Sequence, residues 1–369
     1  VADPLRLLLV VGETTGGIGR HVRVLAERLP GFGFEVVVAG PASALAAVGE
    51  PAGVVSHEVP IGRPWAARRA LRPLLAGVDV AHAHGIQAGA VTAATRRGSG
   101  PALLVTWHNA VLVTGLRRVA HRLASRYAAR GADLTLGASP DLTVAARVAG
   151  ARDARDTFVV APPMPAASRP RSAVRADLGV GERPVVLAVG RLQAQKRLDV
   201  LVAAAARWRP DADAPVVVIA GSGPDATALR AQAAASGAEV RLLGARDDVP
   251  DLFAAADVVA LPSVWEARSL VAQEALRAGV PLVTTPVGGL PDLVGDAAVM
   301  VPVGDAVALG AALDELIADE GLRRSLADAG RARAATWPTL DAAVEELATA
   351  YRDLVARRSA ANRRHGGAS

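Results

Sequence analysis

The 369-residue chain has no cysteine, which excludes thiol nucleophiles, thiolate metal sites and disulfide cross-links together. Lysine is nearly absent too. Of 41 cationic side chains only Lys196 is lysine and the other 40 are arginine, a bias that reads as background composition. Aromatic residues make up 3% of the chain, too few to build a stacking surface for single-stranded nucleic acid. No stretch approaches the ~18 consecutive apolar residues of a membrane span. The opening VADPLRLLLVVG carries no basic leader or cleavage site, so a cytoplasmic location is expected.

What is present is a chain that is 51% apolar, long enough for two domains of ~100–200 residues, each with its own core. Short Val- and Leu-rich runs, each followed by a stretch of helical periodicity, suit the covered strands of parallel α/β sheets. In the first half the expected strands are 5–11, 35–40, 80–85, 103–108, 134–139 and 158–162. Four prolines between Pro162 and Pro170 then mark a linker that no helix or central strand tolerates. The pattern restarts with strands expected at 185–190, 216–221, 240–244, 258–263 and 282–286. Two Rossmann-like, doubly wound domains are the simplest account, 1–165 and 166–337. Helices fill the chain to about 357, and 358–369 reads as a disordered basic tail.

Charge divides unevenly. Residues 1–165 are net +7 and the remainder net −2. The excess concentrates in a helix at 116–130, where Arg118, Arg122, Arg126 and Arg130 form one face and Leu116, Val119, Leu123 and Tyr127 another. The simplest reading docks the apolar stripe on the protein and leaves the arginines in water. The functional reading is contact with an anionic membrane surface or a phosphorylated acceptor.

Three local patterns point to phosphate and sugar chemistry. In TTGGIGRHV, the glycines Gly16, Gly17 and Gly19 lead into a helix, where a ligand oxygen could approach backbone N–H groups. In VGRLQAQKRLDVL, Arg191 ends a strand and Lys196 follows on the same loop, a fork and a point charge suited to a diphosphate. In WEARSLVAQEALRAG, Glu266 lies in a loop and Glu274 in the following helix. Continuous helix would set them ~12 Å apart, too far for the ~5 Å carboxylate pair of a retaining glycosidase. Asp211 and Asp213 form an Asp-x-Asp that reads as a surface turn. His82 and His84 alternate on one strand and so share a face, a geometry open to metal ligation. With no cysteine and no helical histidine pair, a place in the core or an acceptor cleft is the better expectation, and no metal is expected.

The order of these motifs, with DVAHAHG, VVIAGSGP, LFAAADVVALPSVWE and ALRAGVPLVTTPVGG, resembles the retaining glycosyltransferases of family 4, and the resemblance covers nearly the whole chain. It implies a GT-B architecture, two Rossmann-like domains facing a central cleft, with the acceptor on the N-terminal domain and the nucleotide sugar on the C-terminal one. A helix at 338–357 would cross back to the first domain. It further implies that Arg191 and Lys196 hold the donor diphosphate and Glu274 the ribose, while Glu266 and His108 contact the transferred sugar. Gly16 and Gly17 would offer backbone contacts, and the donor site would continue through Ala267, Arg268, Ser269 and Leu270. No cofactor is implied beyond a nucleotide-sugar donor, UDP- or GDP-linked, and transfer would need no metal. The chain departs from the family where Arg197 follows Lys196 in place of a frequent glycine, and where Ala267, Arg268 and Ser269 follow Glu266. Arg268 could there read an extra negative charge.

Three rivals are weighed. A nicotinamide oxidoreductase would need an acidic residue after VVVAGP. In its short-chain form it would also need Tyr-x3-Lys, yet Leu192 stands four residues before the single lysine. A nucleotide-sugar epimerase would consume its substrate without an acceptor. A non-catalytic nucleic-acid or membrane-surface protein is prompted by the basic half and opposed by the scarcity of aromatics.

Overall fold

A computed structural model describes residues 3–14, 16–96, 100–110, 115–208 and 213–366. The chain divides into two compact units, Val1–Pro162 together with Pro338–Ser369, and Pro163–Trp337. The division falls at the proline-rich stretch because the chain beyond it is tied to the second unit. Ser168 donates its N–H and its hydroxyl to the Asp251 carboxylate at 2.6 and 3.0 Å.

The first unit holds seven strands, β1 (Leu5–Val11), β2 (Phe34–Gly40), β3 (Val55–Glu58), β4 (Val80–His84), β5 (Ala102–Trp107), β6 (Leu134–Gly137) and β7 (Ala154–Asp156). They form one parallel sheet in the order β3-β2-β1-β4-β5-β6-β7. The second unit holds β8 (Val185–Val189), β9 (Val216–Ala220), β10 (Val240–Gly244), β11 (Val258–Leu261), β12 (Leu282–Thr284) and β13 (Val299–Met300). These are parallel in the order β10-β9-β8-β11-β12-β13. Both orders reverse direction once, between β1 and β4 and between β8 and β11. Loops leaving the carboxyl ends of two such strands diverge, and the gap between them is where open α/β sheets bind ligands.

Each sheet is a two-sided hydrophobic layer. Leu7, Leu9, Val36, Val38 and Leu104 pack with Leu25 and Leu29 in the first unit, and Val186, Val217, Ile219 and Val258 pack with Leu201, Leu309 and Leu313 in the second. Burying one such side chain contributes about 1.5–3 kcal/mol. The helix Leu340–Gly366 belongs to the first core although the second unit separates it in sequence. Its Val344, Leu347, Tyr351 and Leu354 are buried there. The fully buried Tyr351 hydroxyl lies 2.6 Å from His82 Nδ1, and its ring meets Phe34 edge-on.

Several expectations are corrected. The stretch 158–162 belongs to no strand, and the last strand of the first sheet is β7, just before it. Pro162, at its end, has no N–H to give to a ladder. The expected tail from 358 is helical to Gly366; residues 367–369 lie outside the described ones. The helix Gly115–Gly131 does not dock by its large apolar stripe. Val119, Leu123 and Tyr127 are 55%, 62% and 56% exposed, while Ala128 and Ala129 are buried. The Leu116 side chain lies outside the described residues. The neighbouring helix Ile86–Thr95 explains the choice of face. A Cβ on its Gly89 would come 3.3 Å from Ala128, and one on Gly131 would come 2.6 Å from Ala93. Small residues on both helices let the backbones approach closely, and larger ones are left outside.

Candidate functional site

In the second unit, Lys196 and Glu266 meet across the switch point. Lys196 lies on the loop after β8 and Glu266 on the loop after β11, and Lys196 Nζ donates to Glu266 Oε1 at 2.6 Å. Their side chains are 15% and 9% exposed. The same carboxylate oxygen accepts the Ser263 hydroxyl at 2.8 Å. A poorly hydrated ion pair with an added hydrogen bond is costly to break from one side, on the order of 3 kcal/mol.

The loop backbones turn at glycines with positive φ, which side chains rarely adopt. Gly190 has φ +146°, and a Cβ there would stand 3.5 Å from Lys196 Cε. Gly288, at φ +53°, lies against the Glu266 carbonyl so closely that a Cβ would collide with it. Gly289 donates its N–H to that carbonyl at 2.9 Å. Gln195 joins the two loops directly, donating from Nε2 to the Trp265 carbonyl at 2.7 Å and accepting from the Val264 N–H at 2.9 Å. None of Gln195, Ser263 and Gly288 stands out in the sequence alone. The only signal is their presence inside motifs defined by other residues.

Arg191 is exposed at the start of the same loop. Glu274 is buried in the helix Leu270–Ala278. Ser269 caps that helix, its hydroxyl accepting the Ala272 N–H at 3.3 Å. Ala267 and Leu270 are half-buried beside them. Arg268, expected to read extra ligand charge, makes an ion pair with Asp292 at 2.7 Å. Arg197 has a physical reason for being glycine elsewhere. Its φ is +48°, making it the one left-handed non-glycine among the described residues, a conformation that costs a side chain about 1–2 kcal/mol. Asp211 lies outside the described residues.

In the first unit, Gly16 and Gly17 are exposed at the start of the helix Gly17–Arg28, which follows β1. Gly19 serves packing, since a Cβ there would come 2.6 Å from Ala47 Cβ. The same helix brings His21, buried, to His84 at the end of β4 and His108 just after β5. His84 Nδ1 and His108 Nε2 are 3.0 Å apart, and His21 meets both rings edge-on at 5.7 and 5.6 Å. Burial lowers His21 to about 4. His84 and His108 also fall well below the ordinary imidazole value, first through burial and then through neighbouring imidazoles. All three are therefore neutral at pH 7. His82 is a core residue, with one nitrogen 2.6 Å from Tyr351 and the other 2.6 Å from Thr106 Oγ1. His82, His84 and His108 are legible as candidates in the sequence; His21, inside GGIGRHV, is not.

Comparison with known proteins follows the same division. The family described as "Glycosyltransferase Family 4" matches residues 15–142, and "Glycosyl transferases group 1" matches residues 171–333. The chain is 31% identical to D-inositol 3-phosphate glycosyltransferase of Salinispora arenicola, over 93% of this chain and 82% of that protein. It is 30% identical to alpha-D-kanosaminyltransferase of Streptomyces kanamyceticus, over 50% and 49% of the two chains. Among solved structures, Anabaena HepE in complex with UDP and glucose superposes with a TM-score of 0.80 at 21% identity, covering 95% of this chain and 100% of that one. That likeness identifies the two-sheet architecture as GT-B.

Proposed function

This chain belongs to the family 4 glycosyltransferases, and from that premise we propose that it transfers a sugar, with retention and without a metal, from a nucleotide-diphosphate sugar to a hydroxyl acceptor. The acceptor class is a phosphorylated cyclitol, a lipid-linked sugar or a small polyol; the D-inositol 3-phosphate glycosyltransferase among the relatives supports the first of these. The observation that carries the reading is the Lys196–Glu266 pair at the switch point of the second unit.

A donor diphosphate arriving at Lys196 replaces one anionic partner by another, so the lysine stays paired throughout binding. Glu266, released from the lysine but still held by Ser263, then turns toward the sugar. Glu274 accepts hydrogen bonds from the ribose hydroxyls. In the transfer step the bond from the anomeric carbon to the diphosphate oxygen breaks while a bond to the acceptor oxygen forms on the same face. The departing phosphate oxygen takes the acceptor proton. Arg191 and Lys196 stabilise the charge growing on that oxygen, a task that asks for cations and no carboxylate nucleophile. UDP- and GDP-sugars are the first donors to test. A donor that binds the folded chain raises its melting temperature. Calorimetry with UDP or GDP should then show affinity lost in Lys196→Ala; unchanged affinity would sink the assignment.

The exposed Val119, Leu123 and Tyr127, alongside exposed Arg118, Arg122 and Arg126, support a second property, docking of the helix Gly115–Gly131 on an anionic bilayer. Among the described residues no helix is long and apolar enough to cross a membrane. Sedimentation with phosphatidylserine-containing vesicles checks the docking. Neutralising the three arginines should release the protein, and equal partitioning of that variant would exclude it.

A further inference from the structure

We propose that the bilayer contact of the helix Gly115–Gly131 is one part of a larger membrane face, which it forms together with the helices Pro64–Ala76 and Pro140–Ala149, and that Trp65 is the aromatic anchor of that face. The proposal rests on the reading of Gly115–Gly131 as a contact for an anionic bilayer and adds two helices to it.

All three helices lie on one side of the first sheet. Strands β3 to β7 are joined in turn by the helices Pro64–Ala76, Ile86–Thr95, Gly115–Gly131 and Pro140–Ala149, each packed on the next. Right-handed crossovers that advance across a sheet in one direction place their helices on one face. The strands β1, β2 and β3 advance in the opposite direction, so Gly17–Arg28 and Ala42–Val48 cover the other face, where Leu340–Gly366 joins them.

The two layers differ in charge and in what they leave exposed. The helices of the layer that contains Gly115–Gly131 carry nine arginines and one carboxylate, Asp141, while those of the opposite layer carry eight arginines and five carboxylates. In the opposite layer Arg23 pairs with Glu27 and Arg28 with Asp341. In the first, no carboxylate among the described residues pairs with Arg68, Arg69, Arg72, Arg118, Arg122 or Arg126. Apolar exposure divides the same way. Among the described residues nine large apolar side chains are exposed; six of them lie on the three helices and none on the opposite layer. Trp65 is 79% and Val148 82% exposed. Helical spacing sets both among cations, since Trp65, Arg68, Arg69 and Arg72 share one exposed helix face, as do Val144, Arg147 and Val148.

This mixture selects the partner. Nucleic acid would pair with the arginines and leave Leu123, Val144 and Val148 in water. A second copy would bring like charge against like charge across a self-complementary face. An anionic bilayer receives both kinds of group. Its phosphates meet the guanidinium groups, and the indole and aliphatic side chains enter the boundary between headgroups and acyl chains. Contacts spread over three helices of one folded unit also reinforce one another, because each engages at the high local concentration that the others create.

The test uses the full chain and vesicles of phosphatidylserine and phosphatidylcholine. Trp65 reports its own insertion, because Trp107, Trp265 and Trp337 are only 2%, 8% and 9% exposed and Trp208 is half-buried, donating to Asp314 at 2.6 Å. Vesicles with brominated acyl chains should quench the tryptophan emission of the wild type, and Trp65→Phe should remove most of that quenching. A variant combining Trp65→Ser, Val144→Ser and Val148→Ser keeps every arginine, yet its partitioning in a sedimentation assay should fall by roughly tenfold or more. Circular dichroism of that variant separates loss of binding from loss of fold, and the quenching of the wild type decides the matter even if the variant does not fold. A wild type that sediments with the vesicles without being quenched, or a folded triple variant that partitions as the wild type does, would overturn the larger face while leaving the contact of Gly115–Gly131 intact. A wild type that does not sediment would overturn both. Neither readout involves nucleotide binding at Lys196, so the membrane face and the transferase mechanism stand or fall separately.

Discussion

At the switch point of the unit Pro163–Trp337, the loops after β8 and β11 bring together a lysine and a glutamate. At the switch point of the other unit, the segments after β1, β4 and β5 bring together three imidazoles that burial keeps neutral. The strand order around the two places is the same, so topology fixes where ligand chemistry converges and leaves its kind to a few side chains. In the second unit Lys196 and Glu266 each have a partner of opposite charge within hydrogen-bonding distance. The histidines lack such a partner, and their neighbours would carry like charge, so desolvation decides.

The comparison can be broken at several points, of which the largest concerns turnover. Glu266→Gln should lower transfer by roughly 10²–10³-fold while the nucleotide affinity, read by calorimetry, stays within a few-fold of wild type. Loss of both together would mean that the carboxylate serves only to position Lys196.

The second prediction is one of pH. The folded-state value of His21 lies below the unfolded value of 6.5, so the unfolded chain binds the proton first as pH falls. Stability of the first unit should therefore be full above about pH 6.5 and decline toward pH 4. Each tenfold difference in proton affinity between the folded and unfolded chain is worth about 1.4 kcal/mol, so the loss for His21 alone reaches on the order of 3 kcal/mol. His84 and His108 add to it in the same direction. Hydrogen exchange read by mass spectrometry at pH 7 and pH 5, corrected for the intrinsic rate, should show protection falling more in β1, β4 and β5 than in β8 and β11. Equal loss in both units would refute the contrast.

Gly288→Ala should destabilise the second unit by about 2 kcal/mol, since it adds a left-handed alanine and a collision with the Glu266 carbonyl. Denaturant unfolding measures this. Arg197→Gly carries the smallest effect. Relief of the left-handed side chain outweighs an exposed pair with Asp199 worth about 0–1 kcal/mol, so stability should rise by less than about 1 kcal/mol.

The central strands were legible because parallel strands covered on both faces read as unbroken Val and Leu runs, as in β1 and β9. The edge strands were not. VSHE in β3 and ARD in β7 are polar because one or both of their faces meet water, and β13 is two residues long. The large apolar stripe on the helix Gly115–Gly131 misled because hydrophobicity was weighed without size, and the partner helix accepts only small residues. Lys196 and Glu266 were each legible from their motifs, one through its isolation among arginines. Their contact across 70 residues of sequence was not, because it depends on β8 and β11 being neighbours. His21 was hidden for the same reason, since helix and strand ends converge only once the sheet order is known.

The helix Leu340–Gly366 gives the chain an order of assembly. The ribosome delivers the strands of the first unit early, yet the core they form is incomplete until Tyr351 arrives to fill the space against His82 and Phe34. The second unit, contiguous in sequence, can fold as soon as it has emerged. A chain arrested before residue 340 would thus hold a finished second unit and an unplugged first one, exposing apolar surface that chaperones recognise.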